Sequence, residues 1–154
     1  NICLMHKDVY VAQTTCSHVN HFYKAVMEAN AFPGPAVINV YTTCQPEHGV
    51  GDNMAEHQAK LAADSRSFPV FIYDPRKGTK MKERLSLAGN PNMKDDWYVN
   101  PKTGEAIDFI TFARSEGRFA KHFDKDGNPS AVLQSSNQER LANWHLLQEL
   151  AGLK

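Results

Sequence analysis

The chain of 154 residues lacks an excess of charge of either sign, because 17 Lys and Arg residues balance 17 Asp and Glu residues. A neutral chain has no long-range field that would attract nucleic acid or an acidic membrane surface, so neither partner is expected. No apolar run reaches the roughly 18 to 20 residues that span a bilayer, and the first residues do not resemble a signal peptide. These absences favour a soluble, cytoplasmic protein of about one domain.

Cysteine is scarce, and several common functional motifs are missing. The three cysteines, Cys3, Cys16 and Cys44, cannot all pair within one chain, so reduced thiols are expected. The sequence contains no Gly-x-Gly-x-x-Gly, Walker lysine, Gly-x-Ser-x-Gly or Cys-x-x-Cys motif, which leaves common nucleotide-binding, hydrolase and thioredoxin functions without support. The chain also begins without Met and in mid-pattern, which suggests a fragment of something larger.

The most informative stretch is an apolar run that leads into a cysteine-bearing loop. Five of the six residues at 36–41 are apolar or aromatic, and Phe32-Pro33-Gly34-Pro35 starts the run abruptly. This pattern predicts a central parallel strand covered on both faces, and ligands gather at the carboxyl ends of such strands. Cys44 would lie at that end, either as a thiolate ligand or as a buried, inert cysteine. A cluster or a zinc ion needs about four ligands, so Cys44 cannot hold one alone.

The patterns elsewhere predict a doubly wound α/β fold. Strands are expected at 9–13, 36–41 and 68–74, with a helix before Phe32 and a second helix from its cap Asp52 to about Ser67. In the second half, turn residues surround a helix at about 105–119 and an amphipathic helix at 137–151 that Asn137 would cap. We therefore expect a βαβαβ parallel sheet in residues 1–84 and a mostly helical C-terminal extension, residues 85–154, packed on the same domain.

A second group of possible metal ligands follows the first strand. Cys16, His18 and His21 lie within about one turn of a predicted helix start. Their spacing is not a zinc-finger pattern, and a solvated helix start explains the same residues. Both interpretations stay open at this point.

Five ordered segments resemble one known family. They are VYVAQ at 9–13, AFPGPAVI at 31–38, YTTC at 41–44, HGV at 48–50 and FIYDPR at 71–76. In order and spacing they are similar to the C-terminal part of the pyruvate:ferredoxin (flavodoxin) oxidoreductases. The resemblance covers roughly residues 9–76 and continues more loosely to residue 123.

The resemblance implies a function and a fold. Members of this family oxidatively decarboxylate a 2-oxoacid, pyruvate above all, with thiamine diphosphate, magnesium and CoA. They pass electrons through [4Fe-4S] clusters to ferredoxin or flavodoxin. The chain would be the end of the three-layer thiamine-diphosphate-binding domain, and Cys44 would supply one thiolate to the cluster nearest the thiamine. The implied partners are the rest of the oxidoreductase and its electron acceptor. The resemblance also implies that the full enzyme is a homo-oligomer.

The resemblance also marks what the chain does not contain. The family's Gly-Asp-Gly and Asn-bearing segments, which hold magnesium and the diphosphate, and its Cys-x-x-Cys segment are absent from these residues. We therefore expect the isolated chain to be inactive and to bind no cofactor, with no acid, base or nucleophile of its own. Two alternatives are a non-catalytic α/β interaction or assembly domain and a small zinc-binding module built on Cys16, His18 and His21.

Overall fold

The computed structural model describes residues 2–154 and shows a mixed α/β architecture, which confirms the α/β part of the prediction. The strands are β1 (Tyr10–Thr15), β2 (Ala36–Tyr41), β3 (Phe71–Tyr73), β4 (Leu85–Ser86), β5 (Tyr98–Val99) and β6 (Ala106–Ile107). The α-helices are α1 (Val19–Asn30), α2 (Gln45–His48), α3 (Ala55–Asp64), α4 (Met81–Arg84), α5 (Phe109–Arg114) and α6 (Ala131–Leu150). Short 3-10 helices cover Ile2–Met5, Asp52–Met54, Pro75–Lys77 and Gly117–His122.

The main sheet has four strands in the order β2-β1-β3-β4, and β5 and β6 form a separate antiparallel pair. Strands β1 and β2 run parallel, with Tyr10 opposite Ala36 and Thr15 opposite Tyr41. Helix α1 connects them, so the predicted strand–helix–strand unit is present. The carboxyl ends of both strands therefore meet at one edge of the sheet, which is the edge that leads to Cys44.

The third strand corrects the prediction of an all-parallel sheet, because β3 pairs antiparallel with β1. The chain is still at the carboxyl end of β1 when it enters β3. The side chain of Gln13 donates from Nε2 to the carbonyl of Pro69 over 2.8 Å, and the turn at Arg66, with φ of 59°, directly follows α3. Helix α3 thus does not carry the chain back across the sheet, and β3 must run in the opposite direction.

The position of β2 corrects a second prediction. This strand lies at the edge of the sheet, not at its centre, and none of its residues is buried. Val37 is 39% exposed although valine favours a covered strand position. The apolar residues of β2, which predicted burial on both faces, are therefore exposed or half-buried within residues 2–154.

The apolar core lies on both faces of the main sheet. On one face, Ala25 of α1 packs with Tyr10, Ala12 and Ile72. On the opposite face, side chains of β1, β3 and β4 pack with Trp144 and Leu147 of α6. Successive strand residues point to opposite faces, so the sheet has helices on both sides. A third apolar cluster, formed by Leu61, Ala62 and Phe112, joins α3 to α5.

The second half differs from the prediction in its helix boundaries. The expected helix at 105–119 is split into β6, α5 and the 3-10 helix at Gly117–His122. Helix α6 begins at Ala131, where Ser130 Oγ accepts from the Leu133 amide, so Asn137 is not its cap. Asn137 Oδ1 instead accepts from the Phe109 amide at 3.0 Å. Within residues 2–154, even the 20-residue α6 lacks the apolar length that crossing a bilayer requires.

Candidate functional site

The candidate site is the end of the sheet at which the C-terminal residues of β1 and β2 lie side by side. The amide of Cys16 donates to the carbonyl of Tyr41 over 3.1 Å, which holds the two chain segments together as they leave the sheet. The segment after Tyr41 is buried only at Thr43, whose hydroxyl donates to the carbonyl of Ala55 at 3.4 Å. Cys44 follows immediately and is exposed. The strand end at Tyr41 and the buried Thr43 thus fix the backbone that leads into Cys44.

The exposure of Cys44 suits a ligand role better than the inert alternative. A thiol sealed in the core could not reach an inorganic group, whereas this one is accessible from outside the chain. One thiolate is a quarter of the ligand set of a [4Fe-4S] cluster, so Cys44 fits as a single ligand. Within residues 2–154, no group of three or more Cys, His, Asp or Glu side chains is arranged to hold a metal. A cluster bound through Cys44 would therefore need its other ligands from another segment or chain.

A buried carboxylate fixes the loop that bears Cys44. Glu116 is 1% exposed, and its Oε1 accepts from the hydroxyl of Tyr41 at 3.0 Å and from Nε2 of Gln58 at 3.1 Å. His48 Nδ1 lies 3.4 Å from the same oxygen, and Arg118 Nε donates to Oε2. Buried carboxylates require such donors because an unpaired charge is costly to desolvate. Tyr41 precedes Cys44 and His48 follows it, so one carboxylate contacts both ends of the loop.

Tyr41 stays protonated in this network. Burial, the negative charge of Glu116 and the hydrogen bond to that carboxylate raise the pKa of the Tyr41 hydroxyl above its ordinary value. The hydroxyl therefore remains a donor throughout the neutral range. Tyr41 also packs against Phe68, with ring centroids 5.5 Å apart, so the strand end is fixed by apolar as well as polar contacts.

The loop is closed by two glycines in direct contact. The amide of Gly117 donates to the carbonyl of Gly49 over 3.2 Å. A Cβ at Gly49 would lie 2.9 Å from the Cα of Gly117, and Gly49 has a φ of +64°. Both conditions favour glycine. A Cβ at this position would collide with the backbone of Gly117, and a residue with a side chain rarely adopts this left-handed conformation. The loop is therefore clamped onto the segment that contains Glu116.

The structure does not combine Cys16, His18 and His21 into a metal site. The Nδ1 atoms of both histidines point to threonines, at 2.7 Å from Thr15 Oγ1 for His18 and 3.0 Å from Thr14 Oγ1 for His21. His21 Nε2 is buried without a hydrogen-bond partner among the described residues. Both side chains thus tie the start of α1 to the end of β1, which is a structural role.

We predict that His21 makes stability depend on pH. Burial, followed by the charges of His18 and Lys24, lowers the pKa of His21 from 6.5 to about 4. Between these values the unfolded chain binds a proton that the folded chain does not, so stability falls as the pH decreases from about 6.5 to about 4. We expect a loss of about 1 to 2 kcal/mol from this group after solvent screening, measured by urea unfolding at several pH values.

The variant His21→Asn isolates this effect. Asparagine can keep a hydrogen bond to Thr14 but does not titrate in this range, so the pH dependence should become flatter. His6→Asn is the matched control, because His6 is exposed. Equal slopes for His21→Asn and the unsubstituted chain would contradict the prediction.

No sequence motif singles out Glu116. Its partners Tyr41 and Gln58 lie 75 and 58 residues away, and no periodicity or motif connects them. The only local signal is an acidic residue next to Gly117 in a basic segment, Arg-Ser-Glu-Gly-Arg at 114–118. Such a signal is too common to indicate a site.

Comparison with known proteins identifies related sequences over the whole chain. The probable pyruvate-flavodoxin oxidoreductase of Escherichia coli is 34% identical over 89 residues, which are 57% of this chain and 8% of that protein. The pyruvate-flavodoxin oxidoreductase of Rhodospirillum rubrum is 30% identical over 154 residues, 99% of this chain and 12% of that protein. The ketoisovalerate oxidoreductase subunit VorB of Pyrococcus horikoshii is 24% identical over 98% of this chain and 41% of that subunit. No family model matches the chain.

These relatives define a class, the oxidoreductases named for 2-oxoacid substrates. The chain belongs to the pyruvate:ferredoxin (flavodoxin) oxidoreductase family, as its sequence motifs predicted. It spans 8% and 12% of the first two relatives, so it corresponds to a small part of them.

Proposed function

We propose that this chain is part of a 2-oxoacid:ferredoxin or flavodoxin oxidoreductase that acts on pyruvate, and that Cys44 is one ligand of a [4Fe-4S] cluster. The observation that carries the proposal is the exposed thiol of Cys44 at the carboxyl edge of β1 and β2, in a chain whose relatives are oxidoreductases. When bound, such a cluster accepts and passes single electrons. The chain's own contribution is to hold one sulfur in place.

The fold supports a position at the end of a thiamine-diphosphate-binding domain. Residues 1–84 would be the C-terminal half of that domain, and residues 85–154 a C-terminal extension packed on it. The βαβ unit and its helices on both faces suit this assignment. Thiamine diphosphate and magnesium would be held by other segments, since the diphosphate-binding motifs of the family are absent here. The isolated chain would then be inactive.

The uncovered strand β2 suits a contact with the rest of the oxidoreductase. It pairs with β1 on one side only, and its side chains are exposed or half-buried. An apolar edge strand of this kind tends to pair with another chain or segment. We propose that a further segment of the parent enzyme covers it. A reducing compartment such as the cytoplasm suits the three free cysteines.

The assay that tests the function uses the complete protein that contains this chain. Pyruvate and CoA should together drive the reduction of ferredoxin or flavodoxin, and the rate should fall when either substrate is omitted. Branched 2-oxoacids in place of pyruvate test the substrate assignment. Absence of 2-oxoacid-dependent reduction in protein that contains iron, sulfide and thiamine diphosphate would reject the proposal.

A non-catalytic docking role is the second candidate, and one observation favours it. Helix α1 exposes an apolar stripe at a spacing of four residues, with Val19 at 67%, Tyr23 at 68% and Met27 at 51% exposure. Residues four apart share one helix face, so the three side chains form a continuous surface. This candidate would be favoured if the 154-residue chain is stable on its own and the complete protein that contains it has neither iron nor sulfide.

A further inference from the structure

We infer that Glu116 is a positioning residue for Cys44, acting from the second half of the chain. The inference rests on the proposed function of Cys44 as a cluster ligand and deepens it. It assigns a task to a buried carboxylate that neither the sequence motifs nor the names of the relatives identify. Glu116 does not contact a cofactor in this role but determines where the loop holds its sulfur.

The geometry places the loop between two contacts with the same residue. Tyr41, the last residue of β2, donates to Glu116 Oε1 at 3.0 Å, and His48, at the end of α2, lies 3.4 Å from that oxygen. Cys44 lies between them in sequence, three residues after the first and four before the second. A segment whose two ends both contact one buried group has little freedom to move its centre.

The backbone adds a third contact that does not depend on the carboxylate charge. Gly117, next to Glu116, donates its amide to Gly49, and the two glycines are too close to admit a Cβ at Gly49. Thus the carboxylate and the adjoining backbone act on the same loop. The segment 115–118 therefore functions as a support on which the loop 42–49 rests.

The support is itself held rigidly. Gln58 is 1% exposed and donates from Nε2 both to Glu116 at 3.1 Å and to Ser115 Oγ at 2.9 Å. Arg118 donates to the second carboxylate oxygen from a partly exposed position. A fully paired buried network specifies one arrangement, because any displacement leaves a polar group unsatisfied. A ligand loop needs this property, since supporting contacts orient a metal ligand and tune the metal.

The test compares Glu116→Gln and Gly49→Ala in the complete protein that contains this chain. Glu116→Gln keeps the shape but removes the negative charge that faces Arg118 and His48, and Gly49→Ala disturbs the glycine contact without touching the carboxylate. Glu139→Gln and Gly104→Ala are matched controls. The Glu139 side chain is 70% exposed, and Gly104, with φ of +72°, has no atom within 4 Å of an added Cβ.

Hydrogen exchange at residues 42–50 is the first readout. We expect amide exchange in this segment to become at least about tenfold faster in both variants, with the sheet amides of β1 and β3 unchanged. Unchanged exchange at 42–50, or an equal increase throughout the chain, would overturn the inference. This readout does not depend on any metal, so it tests the positioning even if the proposed function fails.

The second readout is the cluster itself. The electron paramagnetic resonance spectrum and the midpoint potential of one cluster should change in both variants and remain unchanged in the two controls. Faster exchange at 42–50 in a protein that contains no iron would retain the positioning of the loop and reject the proposed function. Faster exchange with an unaltered cluster spectrum and potential would overturn the inference that Glu116 positions a ligand.

Discussion

Under the proposed function, replacing Cys44 with alanine should remove one [4Fe-4S] cluster from the complete protein that contains this chain. Iron and acid-labile sulfide should each fall by about four atoms per chain, because a cluster that loses one of its four thiolates is not retained. Loss of a supporting contact alone typically costs 10- to 100-fold in affinity or activity, so loss of the ligand should slow acceptor reduction by at least about 100-fold. Metal analysis and steady-state reduction of ferredoxin measure the two effects.

Cys16→Ser is the matched control for Cys44→Ala. Cys16 is also an exposed, free cysteine, and it lies at the same sheet edge. Its replacement should leave the iron content and the rate of acceptor reduction near those of the unsubstituted enzyme. Full iron content in the Cys44→Ala enzyme would show that Cys44 is not a ligand. Loss of iron in Cys16→Ser would instead extend the ligand set to both cysteines.

Local sequence signals determined the first part of the fold well. The strand at Ala36–Tyr41 has the predicted bounds, because Pro33 and Pro35 restrict the chain before it and the apolar run defines its length. Helix α1 likewise ends where it was expected, before Phe32. Both signals act within a few residues, so they can be read without knowledge of the rest of the chain.

The direction of β3 could not be obtained in the same way. Its apolar residues fit a parallel or an antiparallel strand equally, and the deciding feature is the turn at Arg66, a non-glycine residue with φ of 59°. The exposure of β2 depends on the order of strands in the sheet, because a strand is central only when it pairs on both sides, and β2 pairs only with β1. The Glu116 network depends on contacts between residues more than 50 positions apart. Periodicity and motifs carry no information on such contacts.

The terminal helix has a buried and an exposed side, as its amphipathic pattern predicted, but the pattern does not show which residues of the first half it contacts. Its Trp144 and Leu147 form the buried side, at 0% and 4% exposure. The pattern does not predict the contact of this helix with Arg66, whose guanidinium lies 4.1 Å from the centroid of the Trp144 ring. The two residues are 78 positions apart, and their contact joins the first half of the chain to the last helix.

Replacing Trp144 with alanine should therefore destabilise the chain more than any surface substitution. The side chain is fully buried between the sheet and the loop before β5, and its Nε1 donates to the carbonyl of Asp95 over 2.9 Å. Truncation of a buried tryptophan typically costs about 3 to 5 kcal/mol through lost contacts and the remaining cavity. Here it also removes the ring that lies under the Arg66 guanidinium, a cation–π contact that contributes up to about 2 kcal/mol when desolvated. Equilibrium unfolding in urea measures the loss.

Two further variants separate the contributions. Trp144→Phe keeps an aromatic ring under Arg66 but loses the donor to Asp95, so its cost should be intermediate, about 1 to 3 kcal/mol. Leu146→Ala is the control on the same helix, because Leu146 is 44% exposed, and it should cost less than about 1 kcal/mol. If Trp144→Ala costs no more than Leu146→Ala, the last helix does not pack on the sheet as the structure shows. A large loss for Trp144→Ala combined with a small loss for Trp144→Phe would assign the stabilisation to packing and the Arg66 contact, because the indole hydrogen bond is absent from both variants.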